Sequence, residues 1–313
     1  MMRTTRRSLS VALALSMILY IAAIFFLAPI ETERIHTVTA LQWNSHFECF
    51  LVPGCAVAAS AFARNQLTAN KVDFGNFINF EYAGFKSAKP WPELPPAYKT
   101  LGGPACREGF TDSLLLVYNA ERWQPIDSSA AEVGCLFKLP ASSGDKDARA
   151  FAAQAFRDAT SGVVLIVLAV HYPHDWDKAK RTASVETLKA ALRALGGDAA
   201  TLRVLLLADA NVSFETPSAT LLNELGLQSK PEQTSRSWRT CCFGDGFRYA
   251  GDRIVSNFGR LHSEVRPMAE DEPVPAWADF SLTKEQQQAG TSGSLTGGNE
   301  MHKPVIATFE FTE

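Results

Sequence analysis

From residue 34 onward the chain alternates between short apolar runs of strand length and longer stretches with helical spacing. RIHTVTALQWN, residues 34–44, alternates β-branched and other residues as a strand does. GCAVAASAFARNQL then places Ala, Val, Phe and Leu at helical intervals. KVDFGNFINFEY reads as a strand ending at Glu81, and Pro90, Pro92, Pro95 and Pro96 mark a loop. DSLLLVYN, Asp112 to Asn119, is a short apolar run of strand length, whereas DARAFAAQAFRDA, residues 147–159, reads as a helix. GVVLIVLAVHYPH predicts a buried strand ending in His171. DKAKRTASVETLKAALRALGG predicts a helix stopped by Gly196 and Gly197, and TLRVLLLADAN a second buried strand. A Gly/Ser-rich loop, AGTSGSLTGGN, precedes the last strand, KPVIATFEF. Strands and helices intermix without a repeat or a dividing linker, which predicts a layered α/β or α+β domain over 34–313.

The first 33 residues are of another kind. Arg3, Arg6 and Arg7 precede SLSVALALSMILYIAAIFFLAPI, residues 8–30, which carries no charge. A cleavable signal has an apolar region of roughly 7–15 residues, while a bilayer-spanning helix needs about 20. The length therefore predicts an N-terminal hydrophobic helix acting as a signal-anchor. The membrane would be contacted through residues 8–30, with the C-terminal domain extracellular or lumenal, as arginines on the cytoplasmic side require. Cleavage would instead release a secreted domain.

Composition is that of an ordinary globular protein, 46% hydrophobic and 20% charged over 313 residues. Net charge is -3, from 30 basic and 33 acidic side chains, and the three early arginines leave residues 31–313 at -6. This excludes a strongly basic surface for nonspecific nucleic-acid binding. Six cysteines, Cys49, Cys55, Cys106, Cys135, Cys241 and Cys242, form an even set without a CxxC pair, which points to disulfides rather than structural zinc. A disulfide at Cys241 or Cys242 would tether the loop before Asp252. Nothing in the sequence points to a protein partner.

The candidate chemistry lies at strand ends: Asn44, Glu81, His171, Asp209 with Asn211, Asp252 in YAGDRIV and His302 in NEMHKPV. A single carboxylate at a strand end is most often a turn or cap residue, so the order of the set carries the reading. In that order the sequence resembles the endonuclease/exonuclease/phosphatase superfamily, the fold of deoxyribonuclease I. LQWNSH is similar to the first strand ending in W-N. VDFGNFINFEY is similar to the D-x-(5–7)-Q-E element, with Phe80 where Gln is usual. DSLLLVYNAERW resembles the following hairpin, and LAVHYPH the strand that ends in a histidine. LLLADANV resembles G-D-x-N with Ala208 for Gly, GDRIV resembles D-R/Y-I, and MHKPV resembles S-D-H-x-P-V. The likeness runs from about Arg34 to Glu313.

The resemblance implies an α+β four-layer sandwich, two packed mainly antiparallel β-sheets flanked by helices, and a metal-dependent phosphoesterase. Its substrate would be a phosphodiester, nucleic acid or phospholipid. Glu81 and Asn44 would hold magnesium, or manganese in its place, since hard cations take oxygen ligands. Asp209 would orient or deprotonate the attacking water, and alternation along an extended chain would put Asn211 on the same face to donate to a phosphate oxygen. His171 and His302 would stabilise the nonbridging oxygens, with Asp112 behind His171 and Asp252 behind His302. One position departs from the pattern: Met301 stands where the superfamily has a metal-contacting Asp, and thioether is a poor ligand for magnesium. The second reading is therefore a catalytically weakened or inactive phosphate-ligand-binding module of the same fold.

Overall fold

In the computed structural model the described residues are 34–80, 94–103, 113–127, 131–137, 149–196, 202–237, 239–241, 251–268, 276–278 and 301–312. The first sheet has the order β11-β12-β1-β2-β4-β3. Its strands are β1 (Ile35–Asn44), β2 (Phe74–Ile78), β3 (Tyr98–Gly103), β4 (Leu114–Asn119), β11 (Arg260–Val265) and β12 (Val305–Thr312). The second has the order β10-β9-β8-β7-β5, with β6 also paired to β7. Here the strands are β5 (Trp123–Pro125), β6 (Glu132–Cys135), β7 (Ala150–Asp158), β8 (Val164–His171), β9 (Val204–Asp209) and β10 (Asp252–Ser256).

Both sheets are mixed. β1 and β2 run parallel, as do β8 and β9, among antiparallel neighbours. A parallel pair needs a crossover. Helix α1 (Pro53–Ala69) supplies the first, with Pro53 at its opening turn, where a missing N–H costs nothing. Helix α2 (Lys178–Ala194) supplies the second, with the Asp177 carboxylate accepting from the Lys180 N–H as its cap. Gly196, at φ 126°, stops α2 where the sequence predicts.

Strand parity sorts the core into three layers of contact. Val38 and Ala40 of β1, Phe74 and Ile78 of β2, Leu165, Val167 and Ala169 of β8, and Leu205 and Leu207 of β9 meet in one cluster between the sheets. The opposite parity of the first sheet, Leu41, Trp43 and Phe77, packs with Ala56, Ala59, Ala63 and Leu67 of α1. The opposite parity of the second, Ile166, Leu168, Val170, Leu206 and Ala208, packs with Leu188, Ala191 and Leu192 of α2 and with the short helix α3 (Thr220–Asn223). The fold is two mixed β-sheets flanked by α-helices.

Two expectations are corrected. Residues 147–159 do not form a helix: Ala150–Asp158 is strand β7, buried on both faces. Ala150, Ala152 and Phe156 face the inter-sheet core, while Phe151, Ala153 and Ala155 face α2, so tertiary burial on two sides overrides the helical preference of alanine. The single-pass membrane topology is also not supported. No helix among the described residues is long and apolar enough to cross a membrane, and residues 8–30 lie outside them. Neither the membrane contact through residues 8–30 nor the extracellular or lumenal placement is supported. The predicted cysteine use is realised in part, with Cys49 bonded to Cys55 and both Cys135 and Cys241 in disulfides.

Candidate functional site

The parity that builds the inter-sheet core also builds the site. On β1 the inward positions continue from Val38 and Ala40 to Gln42 and Asn44, and on β8 and β9 they continue to His171 and Asp209. β10 contributes Asp252 beside inward Ile254. In register, His171 lies opposite Asp209 on the parallel pair, and Asp252 lies opposite Asp209 on the antiparallel side. Apolar side chains thus give way to polar ones at one end of the core, where the strands stop.

Asp209 is the centre. Its side chain is 1% exposed. The Asn44 Nδ2 donates to Oδ2 at 2.9 Å and the Asn211 backbone N–H to Oδ1 at 3.2 Å. His171 Nε2 stands 3.5 Å and His302 Nδ1 3.7 Å from the same Oδ2, ion-pair separations rather than close hydrogen bonds. Burial pushes the Asp209 carboxyl up, but the charges of His302 and His171, the Asn44 hydrogen bond and the charge of Arg149 outweigh it. They hold the group at about 2, ionised at neutral pH. His302 Nδ1 makes its short contact, 2.7 Å, to Asp252 Oδ2, which fixes the ring orientation. Gly251 closes the floor: a Cβ there would sit 2.8 Å from Asp209 Oδ1 and 3.2 Å from His302 Cε1.

Behind Asp252 runs a buried relay that the sequence reading missed. Asn76 Nδ2 donates to the backbone carbonyl of Leu207 at 3.1 Å and to Gln42 Oε1 at 2.7 Å, and Gln42 Nε2 donates to Asp252 Oδ1 at 2.9 Å. A carbonyl only accepts, so Leu207 fixes which way Asn76 points. That in turn fixes Gln42 and makes Asp252 an acceptor toward both Gln42 and His302. The signal was present in TALQWN, where Gln42 occupies a core-facing position of an otherwise apolar strand face. Thr240 braces the same region, its Oγ1 accepting from the Asp252 N–H and its carbonyl from the Lys303 N–H. Cys241, itself in a disulfide, adjoins Thr240 in the chain.

The remaining sequence candidates fall differently. β9 ends at Asp209, and Asn211 sits at φ 47°, so the two do not share a face of an extended chain. The Asn211 Nδ2 donates to the Tyr172 carbonyl at 2.9 Å. Glu81 and Asp112 lie outside the described residues. Of the pair expected to hold a divalent cation, only Asn44 is among the described residues. Asn44 Oδ1 already accepts from the His46 N–H at 2.9 Å and the Asn79 Nδ2 at 3.2 Å, which uses both of its lone pairs. Both donors come from residues at positive φ, His46 at 59° and Asn79 at 62°. Met301 is fully buried in the apolar cluster with Trp43 on the far side of the first sheet. Among the described residues no group of three His, Cys, Asp or Glu is placed to hold a metal.

No family model matches the chain, and no curated protein matches it in sequence. Solved structures do match in fold. An endonuclease/exonuclease/phosphatase structure from Bacteroides vulgatus aligns at 12% identity and a TM-score of 0.58, over 89% of this chain and 100% of that one. The human Nocturnin catalytic domain with bound sulfate anion aligns at 13% and 0.54, over 91% and 98%. ANGEL2, a 2',3'-cyclic phosphatase in complex with adenosine-2',3'-vanadate, aligns at 9% and 0.57, over 90% and 99%. The chain has the endonuclease/exonuclease/phosphatase fold, as its motifs implied.

Proposed function

We propose, from the endonuclease/exonuclease/phosphatase fold, that the protein is a phosphoester-ligand-binding module with weakened hydrolytic chemistry. The layers are read as a four-layer sandwich with the ligand at the polar end of the inter-sheet core. The observation that carries the proposal is the pairing of an intact Asp209–His171–His302–Asp252 cluster with an Asn44 whose oxygen is already spent and a Met301 turned into apolar packing. Imidazoles flanking a buried carboxylate supply hydrogen-bond donors for the oxygens of a phosphate. Asp252, itself held by Gln42, keeps the His302 ring in place while it does so.

Chemistry beyond binding is weak by the same geometry. Asp209 is oriented to position a water through Oδ1 or Oδ2, but a carboxylate held so low takes a proton poorly, and general-base efficiency follows basicity. The retained set supports slow turnover rather than none. The cation that the fold suggests finds no ligand set among the described residues, so no step is assigned to it.

The test uses the full chain. Calorimetric titration with inorganic phosphate in EDTA should show binding, weakened about tenfold in His302→Ala, the scale of one charge-assisted hydrogen bond. Turnover of bis-p-nitrophenyl phosphate should be slow and little changed by magnesium. Rapid magnesium-dependent turnover that disappears in Asp209→Ala would replace this reading with that of a metal-dependent phosphodiesterase.

A further inference from the structure

We infer that the ligand carries a planar ring as well as a phosphate, a nucleoside monophosphate in class, and that the stacked pair His174–Trp176 is the platform for that ring. The inference rests on the phosphoester reading above.

The loop from β8 to α2 begins at His171 and runs through Tyr172, Pro173, His174, Asp175, Trp176 and Asp177. Within it the His174 and Trp176 rings lie face to face, centroids 4.0 Å apart and planes 8° from parallel. Trp176 is nonetheless 71% exposed, more than any other large hydrophobic side chain described. An indole left in water forgoes a sizeable hydrophobic gain, so an exposed one stacked on an imidazole offers a face for contact. The backbone on either side of it is held in place. The Asp177 N–H donates to the His174 carbonyl, Asp177 caps α2, and the Asp175 N–H donates to the Asn211 carbonyl at 3.2 Å. Much of the ordering cost of binding is thereby met in advance.

The same contacts tie the loop to the site. Asn211, which anchors the platform loop through its carbonyl, contacts Asp209 Oδ1 through its own N–H. One hydrogen-bonded residue therefore separates the phosphate-facing cluster from the platform loop. β8 and β9 are parallel, so the loop after β9 leaves from the same end and brings Phe214, 40% exposed, with the Arg239 guanidinium 5.8 Å from its ring centroid.

A flat aromatic face on a loop tied to a phosphate site suits a base, whose π surface stacks whatever its edge groups. A lipid surface or a polynucleotide backbone suits it less. Asp175 and Asp177 flank Trp176, and residues 31–313 carry -6, so an extended anionic partner would meet repulsion at the rim.

The experiment compares adenosine 5'-monophosphate with ribose 5-phosphate, both titrated in EDTA into the full chain, its Trp176→Ala variant and its Trp176→Phe variant. The monophosphate should bind about tenfold tighter than ribose 5-phosphate, the factor that one stacked base provides. That ratio should fall to about one in Trp176→Ala and be largely restored in Trp176→Phe, as stacking energies predict. Equal affinities in the wild type, or an undiminished ratio in Trp176→Ala, overturn the platform while leaving the phosphoester reading intact. Absence of binding by either probe overturns both. Loss of binding to phosphatidylserine vesicles in Trp176→Ala, without any base preference in the wild type, would make Trp176 a membrane contact and also overturn the platform.

Discussion

Two buried aspartates do opposite work. Asp73, 3% exposed at the start of β2, is surrounded by permanent donors at close range. The Arg122 Nη1 reaches both of its oxygens at 3.0 and 3.1 Å, the Trp123 Nε1 donates at 3.0 Å and the Thr39 N–H at 2.9 Å. Arg122 is itself held by Asp158 Oδ2 at 2.8 Å and the Thr37 carbonyl at 2.7 Å. Asp209, 1% exposed at the end of β9, has two close donors, while the imidazoles of His171 and His302 stand 3.5 and 3.7 Å away. A saturated carboxylate locks strands together. One ringed by imidazoles at ion-pair distance keeps acceptor capacity for a water or a protonated ligand group. Burial and charge alone do not separate the two carboxylates, whereas the satisfaction of each oxygen does.

Arg122 is the group on which Asp73 depends most. Arg122→Ala leaves Asp73 buried without its cation, and a chemical denaturation curve should lose about 3 kcal/mol or more, with phosphate affinity of the folded protein unchanged. Gln42→Leu comes next. It orphans Asp252 Oδ1 in the core, so stability should fall by about 1–3 kcal/mol. In the same variant the imidazole nitrogen resonances of His302 should shift while those of His262, an exposed histidine paired with Glu310, stay in place. Gly251→Ala should cost about 1 kcal/mol in stability yet weaken phosphate binding by about tenfold, since the new methyl pushes on Asp209 and His302. If binding survives in Gly251→Ala, the floor of the site is misplaced.

The smallest effect is in pH. The Asp209 carboxyl is depressed from an ordinary 3.8 to about 2, so its contribution to stability is present above the unfolded value and is lost as pH falls through the folded one. Asp209→Asn should therefore flatten the acid limb of the stability curve between about pH 4 and 2, a change that a series of thermal melts would detect.

The sequence made the site legible wherever strands are buried on both faces. The runs before His171 and Asp209 could only be central strands, and they aim both residues at one place. Order along the chain then joined Asn44, Asp252 and His302 to them. What escaped was set by tertiary contact. The alanines of β7 have helical propensity and become strand only because two cores press on them. Asn211 leaves the strand at a positive φ that no periodicity shows. Asn44 has the residue type of a cation ligand, and periodicity shows nothing of its hydrogen-bond partners. Its oxygen is consumed by His46 and Asn79, the second of them 35 residues away. Gln42 was visible as a polar residue on the core-facing parity of β1, and its partner Asp252, 210 residues distant, was not.

On the proposed function, the Asp209–His171–His302 cluster binds phosphate through the chain's own side chains. The most direct measurement is phosphorus NMR of inorganic phosphate with the full chain in EDTA, beside a variant in which His171 and His302 are both alanine. A broadened and shifted phosphate resonance in the wild type that returns to the free position in the double variant is the predicted result. An identical effect in both proteins, or none in either, would contradict the account.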